Sequence, residues 1–448
     1  MGVRILLTVL AGVAPLASAI AAAPLPTARS APKPDILLIM PDQMRGDCLS
    51  ILGHPAVRTP SLDALARQGV LFRRAYSPVP SCTPAWHALL TGMSPQASGA
   101  VGPALPISTP TLPAVLGAAG YLTVLVGRDM HQHKLSKSCG YQQGPVVSFY
   151  TPGDNAYNAF LEKAVPQSGG LIPLVAALGA TWNGWQAVPW PLADRLHPTA
   201  WVADRSRQAI AEAPLKRPLF LTSSYYAPHP PLIPPKKYFD FYLQQKNLPQ
   251  PAHGDWVDWT ALSPSPKDNQ SHRVLLTGEA LRHAQAGYFG LIEHLDHEIG
   301  PLSKDFTRRS EKAGRPWLIV FTADHGEMLG DHGYFRKCEP YEGSANIPLI
   351  IAGSPGLGFR SGSCSLRPVS LEDIMPTLLE SAGASLPAAM DGVSLVPVLR
   401  GEALPVRRWL HFEHARFYSK DQEFHALTDG RWKYIWRPEK GTERCSIC

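Results

Sequence analysis

Five short apolar stretches spaced along the chain, residues 36–40, 122–126, 219–223, 318–321 and 347–352, limit its fold more than any other feature. The first, Ile36-Leu37-Leu38-Ile39-Met40, is unbroken and stops at Pro41-Asp42, as a strand buried on both faces does when it ends in a polar loop. Helical patterns stand between the stretches. One opens at Thr59-Pro60 and closes at Gly69, with proline at the first position and glycine beyond the last. Others cover 201–213 and 279–299. The alternation predicts an α/β fold with a large, mainly parallel sheet flanked by helices. In such sheets ligands collect beyond the carboxyl ends of the strands, so the polar residues after each stretch are the ones to read for chemistry.

From about Leu366 the texture changes. A helical pattern at 371–383 precedes alternating pieces at 409–413, 424–428 and 432–436, the last two joined by the turn pair Asp429-Gly430. These predict a small C-terminal antiparallel sheet. The expected organisation is a signal peptide over 1–23, a Pro-rich spacer over 24–33, a main catalytic α/β domain over 34–365 and a C-terminal subdomain over 366–448. The leader rests on Arg4, the apolar run after it and small residues before Pro24, and it predicts a secreted or periplasmic protein. The loop-rich segment 150–198, with Trp182, Trp185 and Trp190, reads as an excursion over a site mouth.

A chain of 448 residues can bury an ample core. In an exported protein, its seven cysteines suggest disulfide bonds among six and another task for the seventh. The formal charge of +6 comes from scattered basic residues, which fits a pocket for an anion and argues against a nucleic-acid partner. No stretch after the leader suggests stable membrane insertion. The sequence has no phosphate-cradling glycine loop and no His-Glu-x-x-His helix. It leaves the oligomeric state open.

Two strand ends supply candidate metal ligands. Asp42 and Gln43 follow the first stretch, and Asp324 and His325 follow the fourth. Oxygen donors from two loops that converge on one ion favour a hard divalent cation, calcium or alternatively manganese or magnesium. Cys82 lies in Ser81-Cys82-Thr83-Pro84, at the predicted start of a helix that ends before Gly92. Free backbone N–H groups there favour an anion or a thiolate. His294 and His297 read as exposed helix residues rather than ligands, and His197, before Pro198, as an element start.

Taken together, these motifs resemble the sulfatase family of formylglycine-dependent enzymes with an alkaline-phosphatase-like fold. The resemblance runs from about Pro34 to Lys440 through Asp42-Gln43-x-Arg45-x-Asp47, Cys82-x-Pro84 with Leu90-Thr91-Gly92, Pro228-His229-x-Pro231, Asp324-His325-Gly326-Glu327 and Arg336-Lys337. It implies that Cys82 is converted to formylglycine by the modifying machinery. The aldehyde hydrate would then attack a small-molecule or glycan sulfate ester on a divalent cation. It assigns Asp42, Gln43, Asp324 and His325 to the cation. Cys82, His131, His229, Lys337 and Arg128 would be catalytic, with His229 and Lys337 on the sulfate oxygens, His131 on the nucleophile and Arg128 as an anion clamp.

The chain departs from the family's cysteine motif at Trp86, where the family has arginine. Trp86 supplies one indole donor and apolar surface instead of a charge. Three outcomes stay open at this stage: sulfate monoester hydrolysis through a modified Cys82, phosphonate or phosphate ester hydrolysis on the same fold, and binding of sulfated ligands without turnover.

Overall fold

The computed structural model is described over residues 32–102, 106–129, 139–147, 155–262, 272–403 and 407–447. The leader and nearly all of the spacer expected at the start of the chain lie outside these residues. The larger of two sheets is built from β1 (Asp35–Asp42), β2 (Gly69–Tyr76), β3 (Leu122–Arg128), β4 (Val146–Val147), β5 (Leu219–Pro228), β6 (Trp317–Thr322), β7 (Asn346–Gly353), β8 (Ser363–Ser365) and β9 (Val369–Ser370). Its order is β4-β3-β5-β1-β6-β7-β2-β8, with β9 also beside β2. The smaller sheet is the antiparallel series β10 (Leu410–His414), β11 (Phe424–Thr428), β12 (Trp432–Arg437) and β13 (Thr442–Ile447).

β1, β3 and β5 are buried at every position, so the centre of the large sheet needs cover on both faces. Helices provide that cover. Pro198–Glu212 packs on β3 and β5, and the 35-residue helix Gly278–Lys312 packs on β5 and β6. The sequence pattern ended this long helix at residue 299. It continues through Pro301 because Leu302 and Phe306, both buried, extend the packed stripe beyond the lost N–H. Arg309, near its far end, forms a buried ion pair with Asp35 at the start of β1. The five apolar stretches are β1, β3, β5, β6 and β7, and the hairpin across Asp429-Gly430 is β11–β12.

β2 went unread in the sequence because Arg73 and Arg74 interrupt its apolar residues. It pairs antiparallel with β7, and a register shift between Phe72 and Ala75 lets the strand resume beyond the two arginines. With β6–β7 also antiparallel, the sheet is parallel across β4-β3-β5-β1-β6 and mixed beyond.

The expected disulfide bonds are absent among the described residues. Cys48, Cys82, Cys139, Cys338, Cys364 and Cys445 form no disulfide with one another. The six are dispersed over both sheets, the helix Cys82–Thr91 and three loops, and a large continuous core removes the need for covalent staples that a small exported domain has. His294 is another correction, being buried against His197 and Tyr238 rather than exposed. Trp185 and Trp190 are likewise core residues, and Trp182 packs edge-on to Tyr226.

Candidate active site and metal centre

Adjacent parallel strands bring four chemically active side chains to one end of the sheet. Arg128 is the last residue of β3, His229 follows β5, Asp42 ends β1 and Asp324 lies two residues beyond β6. Here β1 breaks register with β5, between Pro41 and Asp42, and Gln43 adopts a left-handed backbone with φ 64°. Such a conformation in a side chain larger than glycine is held by its surroundings and tends to cluster at functional sites. Lys337 is flanked by two more residues of this kind, Arg336 at φ 77° and Cys338 at φ 67°.

The helix Cys82–Thr91 begins at Cys82 and is closed by Gly92 at φ 66°, as the sequence pattern predicts. The loop that carries Lys337 is tied to its approach by the Cys338 N–H, which donates to the Pro80 carbonyl at 2.9 Å. Cys82 Sγ therefore lies 2.9 Å from Lys337 Nζ, 3.2 Å from His325 Nε2 and 3.7 Å from an Asp42 carboxylate oxygen. Ligand atoms of Asp42, Cys82, Asp324 and His325 lie within 4.8 Å of one another, and all four residues are buried. Burial pushes the Cys82 thiol up to about 12, although the Lys337 ammonium pulls it down.

The hydrogen bonds around this cluster leave several donor atoms bare. Asp324 Oδ1 accepts the backbone N–H groups of Gln43 and His325 at 3.0 and 2.9 Å, while Oδ2 is buried without a hydrogen-bond partner among the described residues. Gln43 Nε2 donates to Glu327 at 2.5 Å, and its Oε1 is buried and equally without a partner. The Nδ1–H of His325 donates to the Gly326 carbonyl at 2.9 Å, which leaves Nε2 as the basic nitrogen facing Cys82, Asp42 and Asp324. Burial holds His325 down to about 3, outweighing the pull of Asp324, so the ring is neutral. Bare oxygens from Gln43 and Asp324, the Asp42 carboxylate and an imidazole lone pair make a donor set that fits a divalent metal.

His229 is arranged in the same way. Its Nδ1–H donates to the Pro230 carbonyl at 2.6 Å, and burial first, then Lys337 and Arg128, hold its pKa well below the usual histidine value. Arg128 pairs with the Asp42 carboxylate, and its guanidinium lies 4.7 Å from the centre of the Tyr226 ring. His131 falls outside the described residues. Arg45 ties the first loop together, bonding Asp47 and, at 2.7 Å, Asp331. The approach of the Asp324 loop to the residue 343 turn demands glycine, since a Cβ on Gly326 would sit 2.1 Å from the Gly343 carbonyl oxygen.

Sequence reasoning assigned no role to Glu327 or His414. Glu327 is fully buried; one carboxylate oxygen accepts the N–H groups of Leu329 and Arg336 at 2.8 and 2.5 Å, and the other accepts Gln43. It thereby decides which end of the Gln43 amide is left bare. Its place in Asp324-His325-Gly326-Glu327 was the available signal. His414 had none, because it lies on β10 of the small sheet. Its Nδ1–H donates to the Ala415 carbonyl, so Nε2 accepts from the Ser81 hydroxyl at 2.8 Å. Ser81 is thus bound to His414 and its side chain does not cap the helix that begins at Cys82. Trp86 is only 1% exposed, and its indole N–H has no hydrogen-bond partner among the described residues. At this position the side chain is packed away from solvent and makes no hydrogen bond among the described residues.

Residues 34–384 match the Sulfatase family, and residues 330–440 match the family of the N-sulphoglucosamine sulphohydrolase C-terminal region. An arylsulfatase of Clostridium perfringens is 34% identical over 432 residues, covering 92% of this chain and 87% of its own. A choline-sulfatase of Rhizobium meliloti is 30% identical over 423 residues, with coverage of 90% and 78%. The solved structure of a phosphonate monoester hydrolase from Silicibacter pomeroyi superposes with a TM-score of 0.71 at 27% identity, covering 93% of this chain and 89% of that one.

Proposed function

The chain belongs to the sulfatase family and is a sulfatase-like hydrolase, and from that premise we propose that it hydrolyses sulfate monoesters through a formylglycine derived from Cys82. The observation that carries this reading is the placement of Cys82 Sγ, at the start of a helix, 2.9 Å from Lys337 Nζ and 3.2 Å from His325 Nε2 inside the buried donor cluster. A nucleophile there meets its anionic substrate between an ammonium and a cation site. Asp42, Gln43, Asp324 and His325 would hold that cation, calcium by the preference of oxygen donors. When bound, it would supply positive charge to the nucleophile and the sulfate oxygens.

In the proposed reaction a hydroxyl of the aldehyde hydrate attacks sulfur, and the S–O bond to the alcohol breaks as the alcohol takes up a proton. The C–O bond of the resulting hemiacetal sulfate then breaks to release sulfate and restore the aldehyde, which water rehydrates. Lys337 neutralises the sulfate oxygens and carries a proton toward the leaving oxygen. His229, anchored on the Pro230 carbonyl, presents Nε2 to the same group. Arg128 clamps the anion, and His131 takes the proton released when the hemiacetal collapses. The substrate is a small-molecule or glycan sulfate ester, and the leader read from the sequence makes the enzyme extracytoplasmic.

Gln43 favours a second reading. An amide in place of a carboxylate makes the metal site less negative and so less repellent to any tetrahedral anion, including the singly charged phosphonate monoester that the superposed Silicibacter pomeroyi hydrolase is named for. The test has two arms. Peptide mass spectrometry across Cys82 should find the aldehyde; an unmodified thiol in every preparation sinks the formylglycine chemistry. Aryl and sugar sulfates assayed beside phosphate diesters and phosphonate monoesters, with calcium or manganese, should give the largest kcat/KM on a sulfate. A preference for phosphonates selects the second reading.

A further inference from the structure

The outer face of the small sheet carries a second cluster with metal-ligand chemistry. His411 and Glu413 stand two apart on β10 and so project from one face, and the antiparallel register sets His425 of β11 directly opposite Glu413. Ligand atoms of these three residues lie within 4.8 Å of one another, and His425 Nδ1 is 3.2 Å from Glu413 Oε2. His411 and His425 stack with ring centres 5.6 Å apart, and Trp436 stacks on the far side of His425 at 5.5 Å. An ordinary ion pair accounts for Glu413 and His425 but not for His411, whose Nδ1 is buried without a hydrogen-bond partner among the described residues.

We infer that His411, Glu413 and His425 form a second metal site, separate from the catalytic cluster, for a zinc-class divalent cation. Two imidazoles and one carboxylate select a borderline-soft ion over the hard cations that oxygen-rich sites prefer. Tetrahedral ligand atoms about 2.1 Å from zinc lie about 3.4 Å apart. The Glu413–His425 pair is already near that spacing, and side-chain rotation of His411 closes the remainder. The His425 side chain is 39% exposed, which gives an ion an approach from solvent and leaves a fourth position for water.

The test is zinc titration of the full-length, chelator-treated protein in excess calcium, which occupies the oxygen-rich catalytic cluster and competes poorly for histidines. Wild type should bind one zinc per chain more than His425→Phe, a variant that keeps a ring against Trp436, and more than His411→Asn. Its melting temperature should rise with zinc while theirs stays flat. An Asp324→Asn background should retain this zinc and lose it when His425→Phe is added. Equal zinc stoichiometry in wild type, His425→Phe and His411→Asn overturns the proposal, as does a zinc equivalent that disappears with Asp324→Asn alone. Sulfatase-type turnover of His425→Phe should match wild type.

Discussion

Replacing Glu327 with glutamine tests how the proposed metal centre is oriented. In the native site one Glu327 oxygen accepts two backbone N–H groups and the other accepts the Gln43 amide. The substituted glutamine keeps the first oxygen but turns an NH2 group on the NH2 of Gln43. Two buried donors face to face leave about 1–3 kcal/mol of unsatisfied hydrogen bonding. Gln43 relieves this by flipping, which points its NH2 instead of Oε1 at the cation and removes one of four proposed ligands. Changes to residues that orient a ligand typically cost about 10–100-fold in metal affinity, or about 1.4–2.8 kcal/mol. Calorimetric titration of chelator-treated protein with calcium and with manganese should show a loss in that range, with unchanged circular dichroism. Adding Gln43→Glu to Glu327→Gln swaps amide and carboxylate and restores an oxygen toward the metal, so the double variant should bind more tightly than the single one. Unaltered affinity in Glu327→Gln, or no recovery in the double variant, refutes the reasoning.

Four further outcomes are expected. Lys337→Ala should lower kcat by about 10²–10³-fold, the usual loss when one preorganised charge leaves a reacting anion, with substrate KM moving less. His414 is held near 4 by burial against an ordinary value of 6.5. As pH falls from 6.5 to 4, the unfolded chain gains a proton that the folded one refuses. This removes up to about 3 kcal/mol, so His414→Phe should unfold with a shallower pH dependence than wild type in urea melts. Asp35→Ala strands the buried Arg309 charge and should lower stability by about 3–5 kcal/mol, read as a drop in denaturant midpoint at constant m. Because the described cysteines form no disulfide with one another, dithiothreitol should leave the melting temperature unchanged; a fall of several degrees would contradict that assignment.

How far the chain could be read in advance depended on whether the information was local. Unbroken apolar runs that end in Pro41-Asp42 and Ala323-Asp324 specify buried strands and place carboxylates just beyond them, because burial on both faces selects an uninterrupted pattern. Pro84 and Gly92 bound the helix that begins at Cys82 for equally local reasons, proline fitting the first turn and glycine the left-handed stop. So the α/β class, the carboxylates beyond the strand ends and the place of Cys82 at a helix start follow from residue order alone. What only the tertiary structure decided are meetings across long sequence separations. The pairing of β2 with β7 overrides two arginines, Glu327 selects the face of the Gln43 amide, and His414 crosses from the small sheet to Ser81. The buried state of His294 and the lack of disulfides among the described cysteines are of the same kind. Each depends on which surfaces the folded chain presses together, and no periodicity of 2 or 3.6 residues encodes that.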